Sequence, residues 1–230
     1  MKKVSKKYAA ALAKVDATKL YSLEEAVKLV KETSITKFDS SVDIAFSLNV
    51  NPTLADQLIR GTITLPHGNG KTKRVLVVTN TKLDDAKESG AEFFGGIEML
   101  EKIAKENWFD FDIIVATPEM MGELGKMGRL LGPKGLMPNP KTGTVTMDVK
   151  TAVSEIKRGK IAYRVDRDGN LCLGIGRVSF SDADLLDNLV AITDQIAKAR
   201  PSTVKGTYIL NCAISTTMGP AVHITFAGRN

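Results

Sequence analysis

The alternation of apolar and polar positions changes character twice along this chain, and each change marks a different kind of packing. Over residues 42–50 the pattern is two-fold, with Val42, Ile44, Phe46, Leu48 and Val50 on one side and Asp43, Ala45, Ser47 and Asn49 on the other. That period predicts a strand with one face in a core, as in an antiparallel sheet covered on one side only. After His67-Gly68-Asn69-Gly70 the style changes. Residues 74–79, 92–94 and 111–116 read as short strands, the first and third almost wholly apolar, separated by helical patterns at 83–89 and 97–106. Strands buried on both faces and alternating with helices predict parallel β-α-β units. Past Gly159 the one-sided style returns. Strands near 161–165 and 171–178 flank the turn Asp166-Arg167-Asp168-Gly169-Asn170, and an amphipathic helix over 183–199 is stopped by Pro201. Two last strands, about 207–214 and 221–226, enclose Ser215-Thr216-Thr217-Met218-Gly219-Pro220, which reads as a loop.

Three helix starts complete the pattern. A Lys-bearing helix is expected over 5–15. Ser22-Leu23-Glu24-Glu25 is a capping box, in which the Ser hydroxyl accepts from a first-turn amide and Glu25 reaches back to the cap, ahead of a helix over 23–32. Thr117-Pro118-Glu119 supplies a Thr N-cap and a Pro at the first helical position, and that helix runs into 128–143, a stretch too rich in Gly and Pro for regular structure.

Half-buried strands at both ends around a parallel unit imply an insertion. The fold class is therefore α/β in the broad sense. Residues 1–66 and 159–230 form an α+β outer domain whose antiparallel sheet draws on both termini, and 67–158 form a doubly wound insert. His67, Gly68, Gly70 and Gly159 mark the hinge between them.

Composition and charge narrow the function. The 230 residues carry 32 Lys and Arg against 26 Asp and Glu, a net charge of +6. The outer segments hold 18 basic and 13 acidic residues and the middle 14 and 13, so a polyanion would meet the outer domain first. The apolar stretch behind Lys2, Lys3, Lys6 and Lys7 is too short for a secretion signal and no run is long enough to span a membrane, so a cytoplasmic protein is expected. Cys172 and Cys212 lie far apart with only His67 and His223 to supplement them, which argues against a metal and for two buried free thiols. No cofactor is expected. The first strand of the insert is followed by Thr79-Asn80-Thr81-Lys82 without the glycines of a pyrophosphate turn, and Gly70-Lys71-Thr72 precedes a strand where a phosphate loop would follow one. Pairs such as Asp84-Asp85, Asp110 with Asp112, and Asp182 with Asp184 sit where caps and loop ends ordinarily carry Asp, and no nucleophile elbow is present.

Two clusters of the outer domain stand apart. Lys37-Phe38-Asp39-Ser40-Ser41 enters the first clear strand, and Ser215 to Pro220 joins the last two. Each sets small hydroxyls, suited to ribose 2′-OH and phosphate, beside an apolar group, Phe38 or Met218, suited to a sugar or base. Gly219 would let RNA approach the backbone. The alternative is a buried Phe at a strand start and an ordinary hairpin loop. Arg164, Arg167 and Arg177 lie on or beside the later strands and suggest a basic sheet edge.

The stretch Gly125-Lys126-Met127-Gly128-Arg129-Leu130-Leu131-Gly132-Pro133-Lys134-Gly135-Leu136-Met137-Pro138-Asn139-Pro140-Lys141-Thr142-Gly143-Thr144-Val145 resembles the signature of the L-one family of large-subunit ribosomal proteins. Lys37-Phe38-Asp39, Arg60-Gly61-Thr62, Leu65-Pro66-His67-Gly68, Val115-Ala116-Thr117-Pro118 and Thr216-Thr217-Met218-Gly219-Pro220 extend the likeness over nearly the whole chain. The resemblance implies an α+β domain with an inserted Rossmann-like domain, no enzymatic activity, and binding of large-subunit rRNA at the mobile stalk beside the exit site. It further implies assistance in release of deacylated tRNA, repression of translation through the protein's own mRNA, and a monomer off the ribosome. By motif, the RNA contacts it implies are Lys37, Phe38, Ser41, Asn211, Thr216, Thr217, Met218 and Gly219. Ser41 and Asn211 depart from a family pattern in which Thr and Ser are frequent. Lys126, Arg129, Lys134 and Lys141 of the insert form a second candidate RNA contact. Two rivals from other classes are an enzyme holding a phosphorylated small molecule at the ends of the insert's strands and a protein-binding scaffold.

Overall fold

The computed structural model describes residues 4–225, so Lys2, Lys3 and the expected strand end at Phe226 lie outside the described residues. The chain divides into two compact units, residues 1–70 with 162–230, and residues 71–161.

In the first unit, strand β1 (Ser41–Leu48) is the centre of a four-stranded antiparallel sheet. Strand β7 (Asn170–Arg177) pairs with one edge of β1 and β8 (Ile209–Thr216) with the other, and β9 (Val222–His223) closes the order β7-β1-β8-β9. Val42, Ile44, Phe46 and Leu48 are buried, as the two-fold period requires, with Leu173, Ile175, Cys212 and Ile214 on the flanking strands. Helices α2 (Leu23–Glu32) and α8 (Asp182–Lys198) cover this face. They contribute Ala26, Val27 and Val30 from α2 and Leu185, Leu189, Ile192 and Ile196 from α8, one stripe each at helical spacing. Ser22 caps α2 through its hydroxyl, which accepts from the Glu25 amide, whereas the Glu25 carboxylate turns to Lys19. The Lys31 ammonium reaches the Phe180 carbonyl and the Asp182 carboxylate, tying α2 to the entry of α8. Helix α1 (Lys6–Leu12) is capped by Ser5.

The second sheet face is open and lined by small side chains. Asp43, Ala45 and Ser47 of β1 stand opposite Ser215, Ala213 and Asn211 of β8 and opposite Gly174, Cys172 and Asn170 of β7. This corrects the expectation of two buried thiols. Cys212 is buried, but Cys172, paired with Ala45, is exposed. Burial pushes the Cys212 thiol up to about 12, and partial burial with the Asp166 and Asp43 carboxylates pushes Cys172 up more modestly.

The second unit is the parallel one. Strands β3 (Val75–Val78), β4 (Phe93–Gly95) and β5 (Ile113–Ala116) run parallel in the order β4-β3-β5. Leu76, Val78 and Ile114 pack with Leu100 and Ile103 of α4 (Ile97–Glu106), Leu124 of α5 (Met121–Lys126) and Leu131 of α6 (Gly128–Leu131). On the other face, Val75, Val77 and Val115 pack with Ala86 of α3 (Leu83–Glu88) and with Val149, Val153 and Ile156 of α7 (Val149–Lys157). A sheet covered by helices on both sides explains its almost unbroken apolar strands.

Several local expectations are corrected. Part of the Gly/Pro-rich stretch is helical, because Leu131 of α6 is fully buried in the core and draws that turn into register. Thr117 occupies the N-cap position, but its buried hydroxyl makes no capping bond, and the chain enters α5 through a 3-10 turn at Pro118–Met120. Ser215 and Thr216 belong to β8 because Asp43 and Val42 pair with them, which shortens the loop to Thr217 and its successors. Helix α7 and strand β2 (Arg60–Thr64), which pairs with β6 (Lys160–Arg164), are additional to the elements expected.

Of the residues expected to mark the hinge, Gly68, Gly70 and Gly159 all hold positive φ, at 66°, 69° and 105°. The His67 amide donates to the Asn188 side chain at 3.1 Å, and the Asn188 amide donates to the Gly68 and Ile175 carbonyls, so this segment is pinned to α8 by a fully buried Asn.

Two tests follow from this packing. A thiol reagent at pH 8 should modify Cys172 in the native protein and leave Cys212 protected until denaturation; two equally reactive native thiols would contradict the placement. Burial, which by itself would raise the pKa of Glu92, is outweighed by its bonds with Lys157 and the Val75 amide, and the carboxyl lies below 4.5. A folded-state pKa below the unfolded value contributes stability that is present above about pH 4.5 and lost as pH falls through the folded pKa. Glu92→Gln should therefore shrink the stability difference between neutral and acidic pH, read by urea denaturation, and an unchanged difference would refute the assignment.

Candidate nucleic-acid interface

The candidate interface lies where the chain enters β1 and leaves β8. The Ser41 and Thr217 hydroxyls meet at 3.0 Å, and the Thr217 amide donates to the Ser41 carbonyl at 3.1 Å. Ser41 donates to Asp43 Oδ2 at 3.2 Å. This bond directs the Ser41 proton to Asp43, so the Thr217 hydroxyl is the donor to Ser41, its proton shared between the Ser41 hydroxyl at 3.0 Å and the Ser41 carbonyl at 3.5 Å. The remaining lone pairs on Thr217 Oγ1 are then free to accept from an incoming hydroxyl.

An exposed apolar side chain flanks this contact on each segment. Phe38 is 62% exposed and Met218 75%. The reading of Phe38 as a buried residue at a strand start is thereby excluded. Its loop is held by the residue beside it: the Asp39 carboxylate accepts from the Ser179 amide and hydroxyl at 3.0 and 2.8 Å, and the Arg177 guanidinium donates to the Asp39 carbonyl at 2.9 Å. Arg177 stands opposite Ser41 in the β1–β7 register, which brings a cation to the same end of the sheet. Lys37 is exposed in the loop.

Backbone geometry makes the second segment rigid. Met218 takes φ 65°, in the left-handed region where a side chain is uncommon. Gly219 does not occupy that region; its requirement is space, since a Cβ there would stand 2.2 Å from Thr216 Oγ1. The Gly219 amide donates to the Thr216 carbonyl at 2.8 Å and closes the turn. Thr216 itself is buried and its hydroxyl has no protein partner, so it supports the loop from beneath.

Asn211 is not brought to this cluster. It lies on the open face, but six positions before Thr217 along β8, roughly 20 Å at the rise of a strand. There its side chain accepts from the Cys212 amide at 2.9 Å and meets His223 Nδ1 at 3.2 Å. Sequence reasoning did not single out Asp43 or Ser179; the signal for Asp43 was a two-fold alternation that puts it on the same face as Ser41.

In the second unit, Lys126, Arg129, Lys134 and Lys141 are all exposed. Lys126 is paired with Glu123 at 2.7 Å and Lys134 lies 3.7 Å from the Phe109 ring centroid. Among the described residues no group of His, Cys, Asp and Glu is arranged to hold a metal ion, and no helix is long and apolar enough to cross a membrane.

With this geometry in view, comparison with known proteins is decisive. The family model of the ribosomal protein L1p/L10e family matches residues 30–220. The chain belongs to that family. Curated proteins named large ribosomal subunit protein uL1 are 56% identical to it: one from Mycoplasma capricolum over 98% of this chain and 100% of its own length, and one from Mesoplasma florum over 97% and 99%. A third uL1, from Mycoplasma mycoides, is also 56% identical over 98% of this chain. Members of the L1p/L10e family are ribosomal proteins and not enzymes, which sets aside the metabolite-enzyme rival. The matched span contains the Phe38 loop, the Gly/Pro-rich segment and the turn up to Pro220.

If the Gly219 requirement is steric, Gly219→Ala should cost about 1–3 kcal/mol, as overpacking does. Adding Thr216→Ala, which removes the atom the new Cβ would meet, should recover part of that loss in thermal denaturation. A double variant no more stable than Gly219→Ala alone would contradict the steric account.

Proposed function

We propose that the protein is a structural constituent of the large ribosomal subunit in the cytoplasm and that it binds rRNA through the end of the open sheet in its first unit. The observation that carries this reading is the pairing of two exposed apolar side chains, Phe38 and Met218, around an ordered contact between Ser41 and Thr217. Exposed apolar groups gathered at one place and rimmed by polar ones mark a surface for a partner. The hydroxyls and backbone suit ribose and phosphate, the Phe ring and Met thioether suit a sugar or base face, and the small side chains of the open face leave room for a folded RNA. Lys37 and Arg177 supply the salt-dependent part of the affinity. Thr216 and Gly219 hold the loop, and Asn211 contributes at the far end of the same face.

The finer reading places this contact at the mobile stalk near the exit site. Movement of the second unit about the segment His67–Gly70 and about Gly159 then accompanies release of deacylated tRNA, with Lys126, Arg129, Lys134 and Lys141 as a secondary RNA contact. The same surface binds a stalk-like structure in the protein's own mRNA and represses its translation. What supports this is the family resemblance together with the chemistry of the surface, which accepts any RNA presenting the same fold.

The experiment is affinity for the stalk region of large-subunit rRNA against a base-scrambled hairpin, across a salt series. Thr217→Ala and Met218→Ala should each weaken stalk binding by roughly 1–3 kcal/mol while sparing the fold. Equal weak binding of both RNAs, or a matching loss of thermal stability in the variants, would overturn the site.

A further inference from the structure

The second unit holds a cavity that the rRNA reading does not use. It has a volume of about 490 Å³ and lies at the carboxyl ends of β3 and β4, the end of the strands at which open α/β folds hold ligands, but on the β4 side of β3 and not at the β3–β5 switch point. Its walls carry three large apolar side chains: Leu83, Phe94 and Ile97 are 40%, 37% and 46% exposed and all three line it. The Lys87 ammonium lies 5.9 Å from the Phe94 ring centroid, so a cation already sits over the aromatic wall.

The mouth is polar and needs a glycine. A Cβ on Gly96 would stand 2.5 Å from Asn80 Oδ1, so the bare backbone at Gly96 is what lets the Asn80 amide lie against the chain at the mouth of the cavity. A side-chain amide presents both a donor pair and an acceptor, the complement of a base edge. Glu98 lines the same cavity, and the Lys87 ammonium lies 3.9 Å from the Asp84 carboxylate in the first turn of α3. With one positive and one negative side chain, the site suits a flat base carrying a single phosphate and disfavours a polyphosphate, in keeping with the absence of a glycine-rich pyrophosphate turn after β3.

We propose that this cavity is a nucleotide site, in which Phe94 stacks on one base, Asn80 reads its edge and Lys87 meets its phosphate. The inference goes beyond the rRNA site of the first unit and does not depend on it. A base of this kind is available as a free nucleoside monophosphate or as an unpaired residue of an RNA strand, and the two are separated by the probes.

The test is amide chemical-shift mapping on the ¹⁵N-labelled full chain, titrated with AMP and separately with a single-stranded hexa-adenylate. Saturable shifts at Asn80, Lys87, Gly95 and Gly96 are expected with at least one probe. Shifts with both or with AMP alone identify a free-nucleotide site, and shifts with the oligonucleotide alone identify a strand site. Phe94→Ala should weaken the response roughly tenfold, the scale of one lost stacking contact. Gly96→Ala, which crowds Asn80, should weaken it independently, and the remaining amide spectrum reports whether each variant is folded. No shift with either probe, shifts confined to residues 4–70 and 162–225, or a response unchanged in both variants would overturn the proposal. Stalk-RNA affinity is measured separately through Thr217 and Met218, so failure here leaves the rRNA reading untouched.

Discussion

The structure depends on the pairing of one strand from the start of the chain with two strands from its far end. β1 is hydrogen-bonded on both edges, by β7 and by β8, and each register sets apolar side chains together on the covered face. A shift of one residue would exchange Ile44 and Phe46 for Asp43 and Ala45 in the core, so the register is strongly specified. This pairing closes the first unit around an insertion and places the start of β1 beside the end of β8. The Ser41–Thr217 contact is the last rung of that ladder.

From that constraint the interface follows. A strand pair held on one side by α2 and α8 leaves its other face open, and the residues there are small. The loops that end the pair are fixed by their own chemistry, through Asp39 on Ser179 and through Gly219 packed against the buried Thr216, with Met218 held in a left-handed conformation. Phe38 and Met218 are therefore presented to solvent by a rigid frame. Fully burying a side chain of this size against a partner contributes about 1.5–3 kcal/mol, and little ordering entropy is left to oppose it.

Much of this is legible in the sequence because the periods are clean. The two-fold pattern of 42–50 gives the central strand and its buried face, and the doubly apolar strands after Gly70 give the parallel unit. The shortfalls have physical causes. β2 contains Gly61 and two Thr in only five residues, too short a run to show a period. α7 carries its signal, Val149, Ala152, Val153 and Ile156 at helical spacing with Asp148 as cap, but it follows a Gly/Pro-rich stretch that masks its start. Thr216 has the composition of a loop residue and is recruited into β8 by pairing with Val42, a tertiary effect. Motif alone groups Asn211 with Thr217, and only the direction of β8 separates them. Cys172 is exposed because it faces the open side of the sheet, a matter of register and not of residue type.

The most direct test of where RNA lies is photo-cross-linking of the full chain to stalk rRNA carrying 4-thiouridine, with the attached peptides identified by mass spectrometry. The account predicts cross-links in the two peptides that contain Phe38 and Met218. Cross-links found only within residues 71–161 would contradict it.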